Sequence, residues 1–211
     1  YAKRVAEKLG VPHIAVGDLL RNEVKQETDQ GKKLRNFMEK GLLVPDETVL
    51  EILGAFLDQS KGENPGFVLD GYPRTAKQAI ALSQIEQVHL VLNLFLREDV
   101  LIEKCMGRRI CTKCNGNYNI ADIYRPADDK SGKPEIIMPP LPIPDGCKDH
   151  IVTRKDDTEE VIRNRLRVYK EESSPLEEFY REKAILTDFE IVGGIPLTFP
   201  RLISVIRDNK R

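Results

Sequence analysis

A chain of 211 residues, 40% hydrophobic and 32% charged, carries enough apolar material for one sizeable core with small inserted lobes. Its 33 basic and 34 acidic residues nearly cancel to a formal net charge of -1, which removes the global basic field that favours nucleic acid or an anionic membrane. The longest apolar run, Val88–Leu96, is too short to span a bilayer, and the four cysteines, with no secretory leader among these residues, are expected to be thiols or metal ligands in a reducing compartment.

In chain order, Tyr1–Leu9 has helix-forming residues with apolar positions at Val5, Ala6 and Leu9, stopped by Gly10. Val11–Ile14 is a short strand. Gly17–Lys25 and Lys32–Lys40 are helices joined by the polar run Gln26–Gly31, and Gly41 closes the second. Pro45 and Asp46 open an amphipathic helix that ends near Gln59. Strand Phe67–Asp70, helix Thr75–Gln84, strand Val88–Leu96 (expected to be buried on both faces) and helix Glu98–Arg109 continue the alternation. This βαβα rhythm predicts an α/β fold, a doubly wound parallel sheet wrapped by helices.

The rhythm breaks from Ile110 to Val152, where six of the thirteen prolines fall, together with three of the four cysteines. A separate lobe of turns and short antiparallel strands fits that composition. Beyond it, Asp156–Lys170 and Pro175–Lys183 read as two helices, Phe189–Val192 as the last strand and Pro200–Asn209 as the final helix.

One segment concentrates chemistry. In Phe67-Val68-Leu69-Asp70-Gly71-Tyr72-Pro73-Arg74-Thr75 an apolar strand delivers an acid and an arginine to its carboxyl end, where open α/β sheets bind ligands. Gly71 and Pro73 fix the turn between them. A carboxylate suited to a hydrated metal beside a guanidinium suited to phosphate is what phosphoryl transfer needs. The bland alternative is a strand-to-helix turn with a surface ion pair.

Five segments in order carry a resemblance: Gly17-Asp18-Leu19-Leu20-Arg21, Gly41-Leu42-Leu43-Val44-Pro45-Asp46-Glu47, Asp70-Gly71-Tyr72-Pro73-Arg74 with Gln78, Gly107-Arg108-Arg109, and Thr153-Arg154-Lys155-Asp156-Asp157 with Arg165 beyond. Over essentially the whole chain this resembles the adenylate kinases of the long-lid type. Pro175–Tyr180 and Gly193–Pro196 look most like the plastid enzymes of plants. The resemblance implies the P-loop nucleoside monophosphate kinase fold, strand order 2-3-1-4-5. It places the core at 1–14, 45–106 and 158–211, a helical lobe for the monophosphate at 15–44, and a small, mostly β lid at 107–157. Members of that family open with a strand and a glycine-rich phosphate loop, which would align before Tyr1. The expectation is therefore that the natural protein carries such a segment upstream, with any targeting peptide removed or omitted from this sequence.

The activity implied is a phosphotransferase reaction, ATP + AMP = 2 ADP, with magnesium accompanying ATP, in a plastid monomer that binds neither nucleic acid nor membrane. By resemblance Arg21 and Arg74 hold the AMP phosphate. Arg108, Arg154 and Arg165 gather around the transferred group, with Arg154 and Arg165 also reaching AMP. Asp70 orients magnesium through water, and Asp156 and Asp157 order the lid hinge. Gln78 pairs with the adenine edge of AMP, Gly71 and Val44 offer backbone contacts, and Leu43 forms an apolar wall. Val16 stands where a hydroxyl is usual, and Lys104 where an arginine usually stacks on the ATP adenine; Ile195 contributes its carbonyl. Arg163, Arg165 and Arg167 also fit an exposed, salt-bridged helix face, and Arg108-Arg109 a helix end that complements the dipole. His13 and His89 are expected to be structural, and Cys105 a packed thiol.

Cys111-x-x-Cys114 followed by Cys147 suggests the zinc-bearing lid of some relatives, since thiolates two residues apart can share one tetrahedral metal. Counting back from Arg154, Pro144 falls where a third ligand should be, leaving His150 or Asp145 to complete a site. A lid held by packing alone is the alternative. Two other functions stay open: a kinase for UMP or CMP, or with GTP as donor, and an inactive nucleotide-binding protein if the phosphate loop is truly missing.

Overall fold

The computed structural model describes residues 1–60 and 66–209. The chain divides into two units, one of Tyr1–Val91 with Asn164–Leu186, the other of Leu92–Arg163 with Thr187–Arg211.

In the first unit, helix α1 (Ala2–Leu9) ends where Gly10 turns left-handed at φ 71°, a conformation that costs glycine nothing. Strand β1 (His13–Ala15) pairs in parallel with β2 (Val68–Asp70), in a register that sets Ala15 opposite Asp70. Helices α2 (Val16–Lys25), α3 (Asp29–Glu39) and α4 (Asp46–Ser60) connect them. The structure starts α3 at Asp29, earlier than the polar run suggested, because the Thr28 hydroxyl caps it by accepting the Gly31 N–H at 3.0 Å. Gly31 itself is where α3 meets α2: a Cβ there would lie 2.6 Å from the Glu23 carbonyl oxygen. Helix α5 (Ala76–Ile85) follows β2, capped by Thr75. Ile14, Val16, Leu20, Leu34, Val44, Val49, Leu53, Leu57, Tyr72 and Leu82 form the core beneath.

In the second unit, β3 (Val91–Phe95) lies beside β9 (Leu186–Glu190). Sequence patterning placed β3 between two buried faces; instead it is half-buried and Phe95 is exposed, because the described residues give it one strand partner in a two-stranded sheet. Helix α6 (Glu98–Met106) stops at Gly107, so Arg108 and Arg109 leave the predicted helix end and begin strand β4 (Arg108–Cys111). Strand β4 is the middle of an antiparallel sheet, between β5 (Asn117–Asn119) and β8 (Ile151–Val152). Strands β6 (Ile123–Arg125) and β7 (Ile136–Met138) form a separate antiparallel pair, and a 3-10 turn, Asp145–His150, leads into β8. Val100, Ile123, Ile136 and Met138 make the core here. The prolines of this stretch lie outside all five strands, consistent with their missing N–H.

Three further expectations are corrected. Helix α7 (Glu159–Glu182) runs continuously through Pro175, since both Pro175 and Glu171, whose carbonyl loses its donor, are exposed and solvent can fill the gap. Strand β9 begins at Leu186, three residues before Phe189, directly after the turn at Ala184 with its positive φ of 55°. Helix α8 (Ile195–Asp208) begins well before Pro200, because Pro196 sits in its first turn, where an absent N–H costs no bond.

Candidate active site

The parallel pairing of β1 and β2 sends both chains out at one edge. Val16 and Gly71 follow the paired residues Ala15 and Asp70. From there α2 carries Arg21 and the Gly71 turn carries Arg74. The Arg21 guanidinium forks onto Asp18, donating from Nε at 3.1 Å and again from Nη2. Gly17 lies under that fork: a Cβ there would come within 3.2 Å of Nη2. Gly71 adopts φ 75°, and its carbonyl accepts from Arg74 Nε at 2.8 Å.

Arg74 is exposed at its surface, yet its pKa is lowered. Partial burial is the main cause, followed by repulsion from Arg165; Asp70 opposes the shift and Arg21 adds to it. Three arginines remote in sequence therefore share one field at the end of β2. On α7 the neighbours behave differently. Arg163 is exposed and bonds Glu159 at 2.9 Å, while Arg167 bonds Glu171 at 2.9 Å. Those two form the salt-bridged face, whereas Arg165 is half-buried.

Asp70 is half-exposed and its carboxylate meets His13 Nε2 at 3.2 Å. The sequence gives His13 no such partner; the parallel register of β1 and β2, seen only in the fold, puts His13 and Asp70 two positions apart across one ladder. Gln78 is 2% exposed and engaged at both ends of its amide: Oε1 accepts the Arg74 N–H at 2.7 Å, and Nε2 donates to Asp46 at 2.7 Å. Asp46 also meets Lys77 at 3.3 Å, and it helps burial hold the Tyr72 hydroxyl up at about 12. Asp18 and Asp46 stand within the sequence motifs, where neither is given a role in the site. Val16 and Val44 are buried in the core, so only their backbone is available, and Leu43 is half-buried. A cavity of about 530 Å³ lined by Ser83–Val88 and by Phe179, Tyr180, Lys183 and Ile185 contains none of these residues.

In the second unit Arg108 on β4 grips Asp157, with Nε at 2.8 Å from one oxygen and Nη2 on the other. The Asp157 side chain is fully shielded from solvent. Burial alone would lower the Arg108 pKa, but the Asp157 carboxylate outweighs it and the net shift is upward. Asp156 is buried beside it, and Arg154 accepts the Asp157 N–H through its carbonyl at 3.1 Å. Arg109 donates to the Met106 carbonyl at 3.0 Å, closing the end of α6 as a cation should. Lys104 is half-buried with its pKa lowered, chiefly by burial, and Ile195 is the first residue of α8.

The sulfurs of Cys111, Cys114 and Cys147 all lie within 4.8 Å of one another. Cys114 and Cys147 are 3.5 Å apart, and the Tyr118 hydroxyl is 3.7 Å from Cys147 and 3.8 Å from Cys114. The Gly116 N–H donates to Cys114 Sγ at 3.3 Å and is the main cause that lowers this thiol to about 7. Among the described residues His150 and Asp145 stand outside the group: the His150 carbonyl serves Thr112, and Asp145 pairs with Lys148 at 2.7 Å.

The family model for adenylate kinase matches residues 1–185. The chain is 46% identical to "Adenylate kinase 1, chloroplastic" of Arabidopsis thaliana over 98% of its length, covering 72% of that protein. It is 44% identical to "Adenylate kinase" of Solanum tuberosum, over 98% of its own length and 71% of the relative. A bacterial "Adenylate kinase", from Thermotoga neapolitana, is 39% identical over 98% of the chain and 90% of the relative. The chain belongs to the adenylate kinase family.

Proposed function

We propose that the protein transfers a phosphoryl group reversibly between ATP and AMP, giving two ADP, in a plastid. The single observation that carries this is the shared field of Arg21, Arg74 and Arg165 at the carboxyl end of the β1–β2 pair, where a dianionic phosphate relieves mutual repulsion. In this scheme Arg21 and Arg74 hold the AMP phosphate. Arg108, Arg154 and Arg165 neutralise the group in flight, as Arg108 is steered by Asp157. Residues 15–44 close over AMP and 107–157 over ATP, with Asp156 and Asp157 at the hinge, so that water is kept from the γ-phosphate. Magnesium, when bound with ATP, supplies charge neutralisation. Asp70, a half-exposed carboxylate at a strand end, suits an outer contact with its water shell.

Gln78 marks AMP as the acceptor, and its engagement with Asp46 pre-orients the amide at the cost of free donors. Val16 and Val44 contribute backbone, Leu43 a wall, Lys104 and Ile195 the ATP side. A coupled assay across AMP, UMP and CMP, with ATP or GTP as donor, tests the assignment. Turnover of UMP or CMP equal to that of AMP would replace it with another monophosphate kinase; no turnover with any pair would leave a nucleotide-binding protein. As for zinc in the lid, Cys111, Cys114 and Cys147 supply three thiolates, one short of a closed tetrahedral structural site. Among the described residues no fourth protein ligand joins them, so a zinc ion held there would carry water or another group in its fourth position.

A further inference from the structure

We propose that Cys114 and Cys147 are a redox pair, closing to an intramolecular disulfide in the presence of a small-molecule disulfide and reopening with a dithiol. The two sulfurs stand 3.5 Å apart and both cysteines are free thiols. They sit on the turn after β4 and in the 3-10 turn before β8, and those strands are already paired, with Cys111 opposite Ile151. The cross-link therefore ties together segments that the sheet has brought side by side.

Exposure sets the order of events. Cys114 is exposed while Cys147 and Cys111 are buried, so an oxidant meets Cys114 first. The Gly116 N–H donates to its sulfur at 3.3 Å and holds it facing out of the turn. Cys114 thiolate attacks one sulfur of the oxidant RSSR, forming a mixed disulfide and releasing one RSH. Cys147 then attacks Cys114 Sγ, forming the internal bond and expelling the second RSH, so two protein thiols are oxidised and one RSSR is reduced to two thiols. The Cys147 proton leaves to solvent or to the departing thiolate, and the Tyr118 hydroxyl, 3.8 Å from Cys114 and 3.7 Å from Cys147, can donate a hydrogen bond to whichever sulfur carries the negative charge. Among the described residues no fourth protein ligand closes over the three sulfurs, so exchange at this pair is read on metal-free protein.

The test incubates the protein with oxidised glutathione after treatment with a chelator, alkylates the remaining thiols, and maps the product by mass spectrometry. The expected product retains two alkylatable thiols of the four, at Cys105 and Cys111, and contains a Cys114–Cys147 cross-linked peptide. Its thermal midpoint should rise by several degrees and return with dithiothreitol. C111S should keep the cross-link, and C114S and C147S should lose it. Four alkylatable thiols after oxidation, a persistent glutathione adduct on Cys114, or a cross-link through Cys105 would overturn the proposal. So would one equivalent of zinc that survives purification and blocks oxidation until it is chelated. Wild-type mapping alone suffices if a variant fails to fold.

Discussion

Arg74 in the first unit donates to a neutral carbonyl and shares its surroundings with Arg21 and Arg165, and its pKa falls. Arg108 in the second unit is bound through two nitrogens to a buried carboxylate, and its pKa rises. The same side chain thus serves two purposes. In the proposed scheme the first group, where Arg74 lies near two further guanidinium groups and Asp70, is the one that receives an outside anion. A cation locked to an internal acid is held at one orientation, and in the proposed scheme that lowers the reorganisation needed when charge moves.

The largest effect should come from breaking the first arrangement. Arg74→Ala and Arg165→Ala are expected to cut kcat/KM for AMP by roughly 10³-fold, the order of a lost transition-state arginine. Arg163→Ala and Arg167→Ala remove exposed salt bridges two residues either side of Arg165 and should change the rate by less than about twofold. If all four variants lose activity alike, the α7 arginines act as one electrostatic face and Arg165 has no separate role.

The second arrangement should fail through folding before rate. Asp157→Ala leaves Arg108 without its buried partner, and such a loss costs about 3–5 kcal/mol. Asp18→Ala in the first unit removes the acid under Arg21, but that carboxylate is 57% exposed and its loss should cost less than about 1 kcal/mol. Urea midpoints of the two variants compare the units directly. Equal midpoints would mean that the Arg108–Asp157 pair is no more demanding than a surface bridge.

How much of this was legible beforehand depended on whether the determinant was local. Gly10, which closes α1, acts within a few residues and the sequence announces it, whereas Thr75, read as the first helical residue, caps α5 from just outside it. The sequence reads one helix ending at Lys170 and another beginning at Pro175, because proline removes a helix hydrogen bond and crowds the carbonyl four residues back; the exposure of Glu171 and Pro175, which lets solvent serve that carbonyl, cannot be read from residue type. The placement of Arg165 beside Arg74, 91 positions apart in number, came from family resemblance; periodicity by itself could not separate it from Arg163 and Arg167. His13 on Asp70 and Asp46 on Gln78 depend on strand register and helix docking, which no spacing in the chain encodes.

Gln78 sharpens the comparison at an intermediate scale, because it ties the Arg74 backbone to Asp46. Gln78→Ala leaves the Arg74 N–H and the Asp46 carboxylate each short of a partner, at a cost of about 1–3 kcal/mol. If, as proposed, the amide positions the acceptor rather than the moving group, KM for AMP should rise with kcat less affected. An unchanged KM would reduce Gln78 to a structural brace.

The smallest effect belongs to a charge cluster outside the proposed chemistry, and it separates internal pairing from surface pairing by pH. Asp99 opens α6 and accepts from Arg125 at 3.0 Å and from Arg97 at 3.2 Å. Partial desolvation pushes its pKa up, but the two arginines overcome this and hold it below the ordinary 3.8. A carboxyl depressed in the folded state adds stability that is present above its unfolded value and lost as pH falls through the folded one. With the Asp99 side chain 48% exposed, solvent screens the pair and the contribution should stay under about 1 kcal/mol. The stability gap between wild type and Asp99→Asn should therefore be largest near neutrality and close as pH drops below 3.8, and added salt should shrink it. A gap that persists in acid would trace the loss to the helix-end hydrogen bond with Val100 rather than to charge.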